Sequence, residues 1–238
     1  MRALLLSGLL ALTLSGAARA DQKDAAVFDL SIRGITAATL QFGGSIRGRS
    51  YAATGVLKSS GILGMLKRIR YDASVAGSVA KGRFTPARYV EKADTGKRQS
   101  EAVMAYRMGV PQVKSYNPPR PAGQDGIDPA TQGGTVDPLT ALYAVLRDVP
   151  VAEACTLKIF LFDGRRRSQV VLTAPKAEGD RITCRGEYRR LEGFSAEDMA
   201  EKSRFPFTLT YVPAGEGVVH VGEISLDTLY GKGRMIRR

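Results

Sequence analysis

The chain has 238 residues, a formal charge of +12, no tryptophan, two cysteines and one histidine. One histidine and two cysteines too far apart for a C-x-x-C pair leave no zinc ligand set, and scarce aromatic residues disfavour stacking platforms for single-stranded nucleic acid. The length suits one large β domain or two small ones; we read one, over residues 21–238, with a basic surface suited to polyanions.

Residues 1–20 read as a signal peptide rather than as part of the fold. Arg2 gives a positive start, Leu4 to Leu14 an apolar core, and Ala18-Arg19-Ala20 a cleavage site before Asp21. That core is too short to anchor in a bilayer, and no later apolar run approaches the roughly 20 residues a spanning helix needs. No transmembrane segment is therefore expected after cleavage, and the periplasm is the expected compartment. Export removes nucleic acid from the expected partners and leaves anionic lipid, lipopolysaccharide or an envelope protein.

In chain order, Val27 to Ile32, Ala38 to Phe42 and Ser45 to Lys58 are extended candidates, punctuated by Gly34 and Gly43-Gly44. Their many small side chains indicate either a strongly twisted sheet or close approach of a ligand or second layer. Ser60 to Lys67 holds Ile62, Leu63, Met65 and Leu66, a short apolar stretch expected to plug the sheet or to touch a membrane. Ile69, Tyr71, Val75 and Val79 alternate with Arg70, Asp72, Ser74 and Ser78, which predicts a half-buried strand. Arg83 to Lys92 and Ser100 to Met108 follow around a turn at Asp94 to Lys97. Pro111 to Val136 is rich in Pro and Gly and reads as a long loop. Its acids Asp125, Asp128 and Asp137 match no EF-hand spacing.

Residues 137–148 carry the clearest helix signals. Asp137 is a natural N-cap, Pro138 suits the first position, and Leu139, Leu142, Tyr143 and Leu146 make one apolar stripe. A three-stranded meander is then predicted from Leu157, Ile159 and Leu161, through Asp163-Gly164, Ser168 to Thr173 and a turn at Pro175 to Asp180, to Arg181–Leu191. Cys155 and Cys184 are expected to pair in an exported chain, stabilising it by roughly 3–4 kcal/mol through loop closure. In a flat meander the first and third strands lie about 10 Å apart, yet a disulfide holds Cα atoms about 5.5–6 Å apart. Either Cys155 lies in a lead-in folded over the sheet end, or the sheet curls strongly. A short helix at Ser195 to Lys202, a strand at Phe205 to Tyr211, one or two more over Val218 to Tyr230, and a basic tail at Arg234, Arg237 and Arg238 complete the chain.

The total is roughly ten to twelve strands against one solid helix. The expected fold is mainly β: a strongly curved antiparallel sheet, or an open β-barrel or β-spiral, with one packed amphipathic helix (137–148) and one disulfide. Chemical motifs are scarce. His220 sits in an apolar strand, and no G-x-S-x-G, H-E-x-x-H, phosphate loop or dinucleotide fingerprint is present. No catalytic residue, metal site or cofactor is assigned. The candidate anion-binding residues are Arg165, Arg166, Arg167, Arg181, Arg185 and Arg189, because guanidinium forks hold phosphate or carboxylate with two hydrogen bonds. The same residues also fit a solvated hairpin partnered by Glu187 and Glu192. A hydrolase acting on an envelope polymer, with Asp163 or Glu187 as acid and base, is the alternative.

Several short stretches carry a family resemblance: the exported start, the Gly-rich meander with Phe28 to Phe42, Gly61-Ile62-Leu63-Gly64, Asp137-Pro138-Leu139-Thr140-Ala141-Leu142, Phe162-Asp163-Gly164-Arg165-Arg166-Arg167, and Cys184 ahead of Tyr188. Together they resemble the domain of unknown function 3108 family of proteobacterial envelope proteins. The resemblance implies a periplasmic, β-rich domain with a disulfide and no established activity, so no catalytic residue is carried over from it. The expected function is a non-enzymatic periplasmic protein that serves cell-envelope maintenance by binding a lipid-like or anionic envelope component or a partner protein.

Overall fold

The computed structural model describes residues 21–61, 64, 68–119, 126–228 and 231–238. Residues 1–20, expected from sequence to be a signal peptide, the apolar residues Ile62, Leu63, Met65 and Leu66, and part of the Pro-rich segment, Asp125 included, lie outside the described residues.

Fourteen strands form one antiparallel sheet among the described residues. The N-terminal half is a meander: β1 (Gln22–Ile32), β2 (Ile35–Arg47), β3 (Ser50–Ser59), β4 (Arg70–Ala80), β5 (Arg83–Asp94), β6 (Gln99–Arg107) and β7 (Val110–Asn117). Then come helix α1 (Pro138–Leu146), the two-residue β8 (Val149–Pro150), β9 (Lys158–Phe162), β10 (Arg167–Glu178), β11 (Arg181–Glu192), helix α2 (Ala196–Glu201), β12 (Arg204–Gly215), β13 (Val218–Thr228) and β14 (Gly231–Arg237). The spatial order runs β7 to β1, then β14 back to β9. The pairing of β1 with β14, Phe28 opposite Arg237 through Ile32 opposite Gly233, joins the two meanders.

The free edges, β7 and β9, face each other across a seam bridged by residues 132–136. Gly134 N donates to Gly109 O (2.9 Å) at the β6–β7 turn, while Val136 N donates to Phe160 O (2.9 Å) and Phe162 N to Val136 O (2.8 Å). The result is a nearly closed barrel. Both alternatives that the cysteine spacing left open are met: the sheet curls, and Cys155, bonded to Cys184 with Cα atoms 5.3 Å apart, sits in the lead-in to β9.

Four local expectations change. The Pro111–Val136 segment is not all loop, because β7 pairs with β6 and Asp128 caps a 3-10 turn at Pro129–Thr131. Pro111 is tolerated because an edge strand needs no N–H for a further neighbour. Pro175 lies within β10, at a bulge between Thr173 and Lys176 where Ala174 adopts φ 52°, so the turn shrinks to Gly179-Asp180. The Ser45–Lys58 run splits at Gly48-Arg49 into two strands, whereas Gly43-Gly44 continues β2 unbroken. The basic tail is β14, a central strand; residues exposed to solvent alternate with Gly233 and Met235, which face the sheet's other strands' core side.

The helix differs most. It is capped as expected, with Thr140 N donating to Asp137 Oδ1 at 2.9 Å. Yet it is not amphipathic in its surroundings. Leu139, Thr140, Ala141, Tyr143, Ala144, Val145 and Leu146 are all buried, and Leu142, assigned to the apolar stripe, is less so. The helix lies against β2, β3, β4, β5 and β9, so both sides of the seam enclose it. Tyr143 is the hub of an aromatic cluster, 5.8 Å from Phe84, 6.4 Å from Tyr51 and 6.5 Å from Phe42 between ring centroids. Its hydroxyl donates to the buried Asp24 Oδ2 at 2.6 Å, tying the helix to the first strand.

Gly44 is where this ring enters the wall: a Cβ there would sit 2.8 Å from Tyr143 Cζ. Gly44→Ala is therefore expected to destabilise the fold by about 1–3 kcal/mol through overpacking, read as a lower midpoint in chemical denaturation. An unchanged midpoint would show that the helix can retreat from the wall.

Candidate functional site

The six arginines singled out from sequence are not brought together. Arg165 and Arg166 lie in the β9–β10 loop and Arg167 opens β10; Asp163 Oδ1 accepts from Arg165 N (2.9 Å) and Arg166 N (2.7 Å). Asp163 Oδ2 pairs with Arg166 Nε at 2.9 Å, and the Arg166 guanidinium lies over the Phe194 ring at 5.1 Å. Arg167 covers Phe160 at 4.9 Å. Arg181, Arg185 and Arg189 do share one face of β11, but Arg181 and Arg189 stand eight residues apart, roughly 27 Å along a strand. Glu187 is held between Arg189 and Arg204, the latter at 2.8 Å. The solvated-hairpin reading thus accounts for Arg166 and Arg189, with Asp163 and Glu187 as partners. The same bonds occupy the two carboxylates considered for acid–base chemistry.

His220 stands on β13 opposite Val212; burial and, less strongly, the Arg237 charge lower its pKa. Among the described residues, no group of three or more His, Cys, Asp or Glu could hold a metal ion.

The arrangement with chemical capacity lies at the end of the barrel opposite the β9–β10 loop, beside the seam. Here the chain leaves α1 at Arg147, and the β4–β5 hairpin Lys81-Gly82-Arg83 reaches over it. A cavity of about 740 Å³ opens between Lys81, Arg83, Arg147, Lys158 and Glu153, with Phe84, Val136, Leu157 and Tyr211 as apolar walls. A neighbouring cavity of about 380 Å³ adds Arg49. Arg147 is only 6% exposed. Its guanidinium bonds Glu153 Oε2 (2.9 Å) and Asp148 O (3.2 Å) and lies 5.9 Å from the Phe84 centroid, while its Nε is buried without a partner. A buried guanidinium with an unused donor is costly unless something accepts from it. Burial pushes the Tyr211 phenol up to about 12, partly offset by Arg147.

Arg147 escaped the sequence reading because a lone basic residue at a helix end is ordinary. The Lys-Gly-Arg hairpin did carry a signal, a basic pair flanking a glycine between two extended runs.

A second buried polar group lies at the opposite end of the same helix. Asp137 is 0% exposed, and Thr140 Oγ1 donates to its Oδ2 at 2.6 Å while pairing with the Tyr51 hydroxyl at 2.7 Å. Burial raises its pKa from 3.8 to about 6, against the opposing hydrogen bonds from Thr140. The folded pKa lies above the unfolded one, so the Asp137 contribution is fully present below about pH 4 and is lost as pH rises through about 6. Asp137→Asn is expected to flatten the stability profile between those values, measured by denaturant titration at each pH. An identical slope in the variant would remove Asp137 as the cause.

The chain matches the family model described as a protein of unknown function (DUF3108) over residues 27–192. It is also similar to a crystal structure of a beta-barrel-like protein of domain of unknown function DUF1849 from Brucella abortus. That similarity has 15% identity, 91% coverage of this chain, 96% of the other and a TM-score of 0.49. No curated protein matches it. The family match covers more than half of the chain and meets the resemblance read from its residues: the protein belongs to the DUF3108 family of proteins of unknown function.

Proposed function

We propose that this protein is a non-enzymatic binding protein of the cell envelope, exported to the periplasm. Its cleft beside the barrel seam takes an anionic, partly apolar envelope component. The observation that carries this reading is Arg147, buried at the cleft with an unpartnered Nε. Lys81, Arg83 and Lys158 add positive charge around the cavity, and Phe84, Val136 and Leu157 supply apolar wall. A phosphate or carboxylate head would accept from the guanidinium, and its apolar body would lie along the wall. The signal-like residues 1–20 and the Cys155–Cys184 bond support an exported, oxidising setting. The barrel interior is filled by α1, so a ligand would occupy the cleft rather than the barrel axis.

Calorimetric titration with a short-chain phosphatidylglycerol tests this. Arg147→Lys keeps the charge and removes the fork, and is expected to weaken binding by about tenfold or more. Lys158→Gln should weaken it a few-fold, and Arg166→Ser should leave it unchanged. No binding by the unaltered protein, or equal affinity in Arg147→Lys, would overturn the proposal.

A further inference from the structure

An antiparallel meander sends every second turn to the same end. In the N-terminal half these are the β2–β3 turn Arg47-Gly48-Arg49, the β4–β5 turn Lys81-Gly82-Arg83 and the β6–β7 turn Arg107-Met108-Gly109. Backbone contact confirms that the first two adjoin, since Val79 N donates to Arg49 O at 2.8 Å. Arg47, Arg83, Met108 and Gly109 also line one open hollow of about 990 Å³ beneath the tips. Neighbouring tips are two strands apart, on the order of 10 Å.

The five cations of these tips, Arg47, Arg49, Lys81, Arg83 and Arg107, are all exposed. No Asp or Glu lies within the three turns, and none of the five forms an ion pair among the described residues. Elsewhere on the barrel arginines are commonly neutralised: Arg70 by Asp72, Arg166 by Asp163, Arg189 and Arg204 by Glu187, Arg234 by Glu223. The turns that the C-terminal half sends to this end differ, carrying Asp180 and Glu216. Unpaired positive charge is thus concentrated on the β2–β7 side of the rim, while on the other side Arg181 adjoins Asp180.

Met108 adds a second, independent observation. It is 92% exposed and adopts φ 49°, a left-handed conformation that disfavours a side chain with a Cβ. An apolar side chain held outward at a tip, between cations, gains nothing from the fold. It gains from an apolar surface outside the protein.

We infer that the three basic hairpin tips form a docking rim for an anionic lipid bilayer, with Met108 entering the interface and the cations meeting the head groups. Five unpaired cations supply the electrostatic attraction, and a single apolar side chain supplies the part that salt does not screen. The acid-bearing turns of the other half tilt the barrel so that the β2–β7 side approaches first. Docked this way, the cleft around Arg147, which shares Lys81 and Arg83 with the rim, opens next to the head groups. The inference rests on the function proposed above only for the choice of an anionic lipid as partner.

Co-sedimentation with vesicles of phosphatidylglycerol in phosphatidylcholine, over a range of salt, tests it. Binding is expected to these vesicles and not to phosphatidylcholine alone. Replacing Arg47 and Arg49 together with Ser should lower partitioning by about 25-fold, from roughly fivefold for each cation near the surface. Met108→Ser should remove the binding that persists at high salt, while Lys97→Ser with Lys232→Ser, exposed cations at the opposite end of the barrel, should change nothing. The rim is overturned if that control pair loses as much as the tip pair, or if Met108→Ser has no effect. It is likewise overturned if a soluble polyphosphate binds as tightly as the vesicles, which would indicate a polyanion partner. Met108→Ser, which does not touch the cleft, should still bind the short-chain lipid in solution, so failure of the cleft and failure of the rim give different patterns.

Discussion

A helix enclosed on nearly every side by a curled sheet is the constraint on which the rest of this structure depends. Water cannot satisfy the ends of such a helix, so the chain must supply partners. Asp137 does so at the N-terminus and is buried completely, with Thr140 and Tyr51 continuing the hydrogen-bonded chain. At the other end Tyr143 reaches Asp24, whose second oxygen accepts from Asp148 N and from Gln22. One carboxylate on the first strand thereby holds the helix, the segment after it and the start of the barrel wall. The wall also yields space: Gly44 faces the Tyr143 ring and Gly55 faces Leu139. The small residues of β2 and β3 therefore serve close approach of a second layer, and that layer belongs to the protein itself.

The enclosure also shapes the chemistry at the seam. Arg147 is drawn inward because it immediately follows the last turn of a buried helix, and Glu153 with Asp148 O accounts for only part of its hydrogen-bonding capacity. The same geometry brings the β4–β5 hairpin over it. Positive charge in this protein therefore falls into two populations. Arginines on the β11–β12 face and in the β9–β10 loop are largely held by carboxylates or aromatic rings of their own surroundings, whereas those at the N-terminal hairpin tips have none among the described residues. Net charge alone cannot distinguish these populations, yet the second, like the buried Arg147, keeps free capacity for a partner.

The fold was legible where side-chain periodicity is local. Alternation marked β4 and β11, Ser195 marked α2, and Asp137-Pro138 marked α1. Errors fell where tertiary contact overrides local chemistry. Gly43-Gly44 resembled a break because no sequence rule shows the tyrosine ring that requires them. Pro111 and Pro175 resembled loop residues because an edge position and a bulge are properties of neighbours. The arginine candidates were chosen by density in sequence, which also selects places where acids are dense enough to neutralise them.

By itself the sequence determined the mainly β class, the capped helix and the conclusion that its two cysteines could pair only across a curled sheet or a folded lead-in. These follow from backbone periodicity, capping chemistry and covalent reach, all short-range. Only the tertiary structure decided that the helix lies within the wall, that β14 joins the two halves, and that the seam gathers Lys81, Arg83, Arg147 and Lys158. Those outcomes depend on which strands meet after closure, and closure depends on contacts between residues as distant as Asp24 and Tyr143.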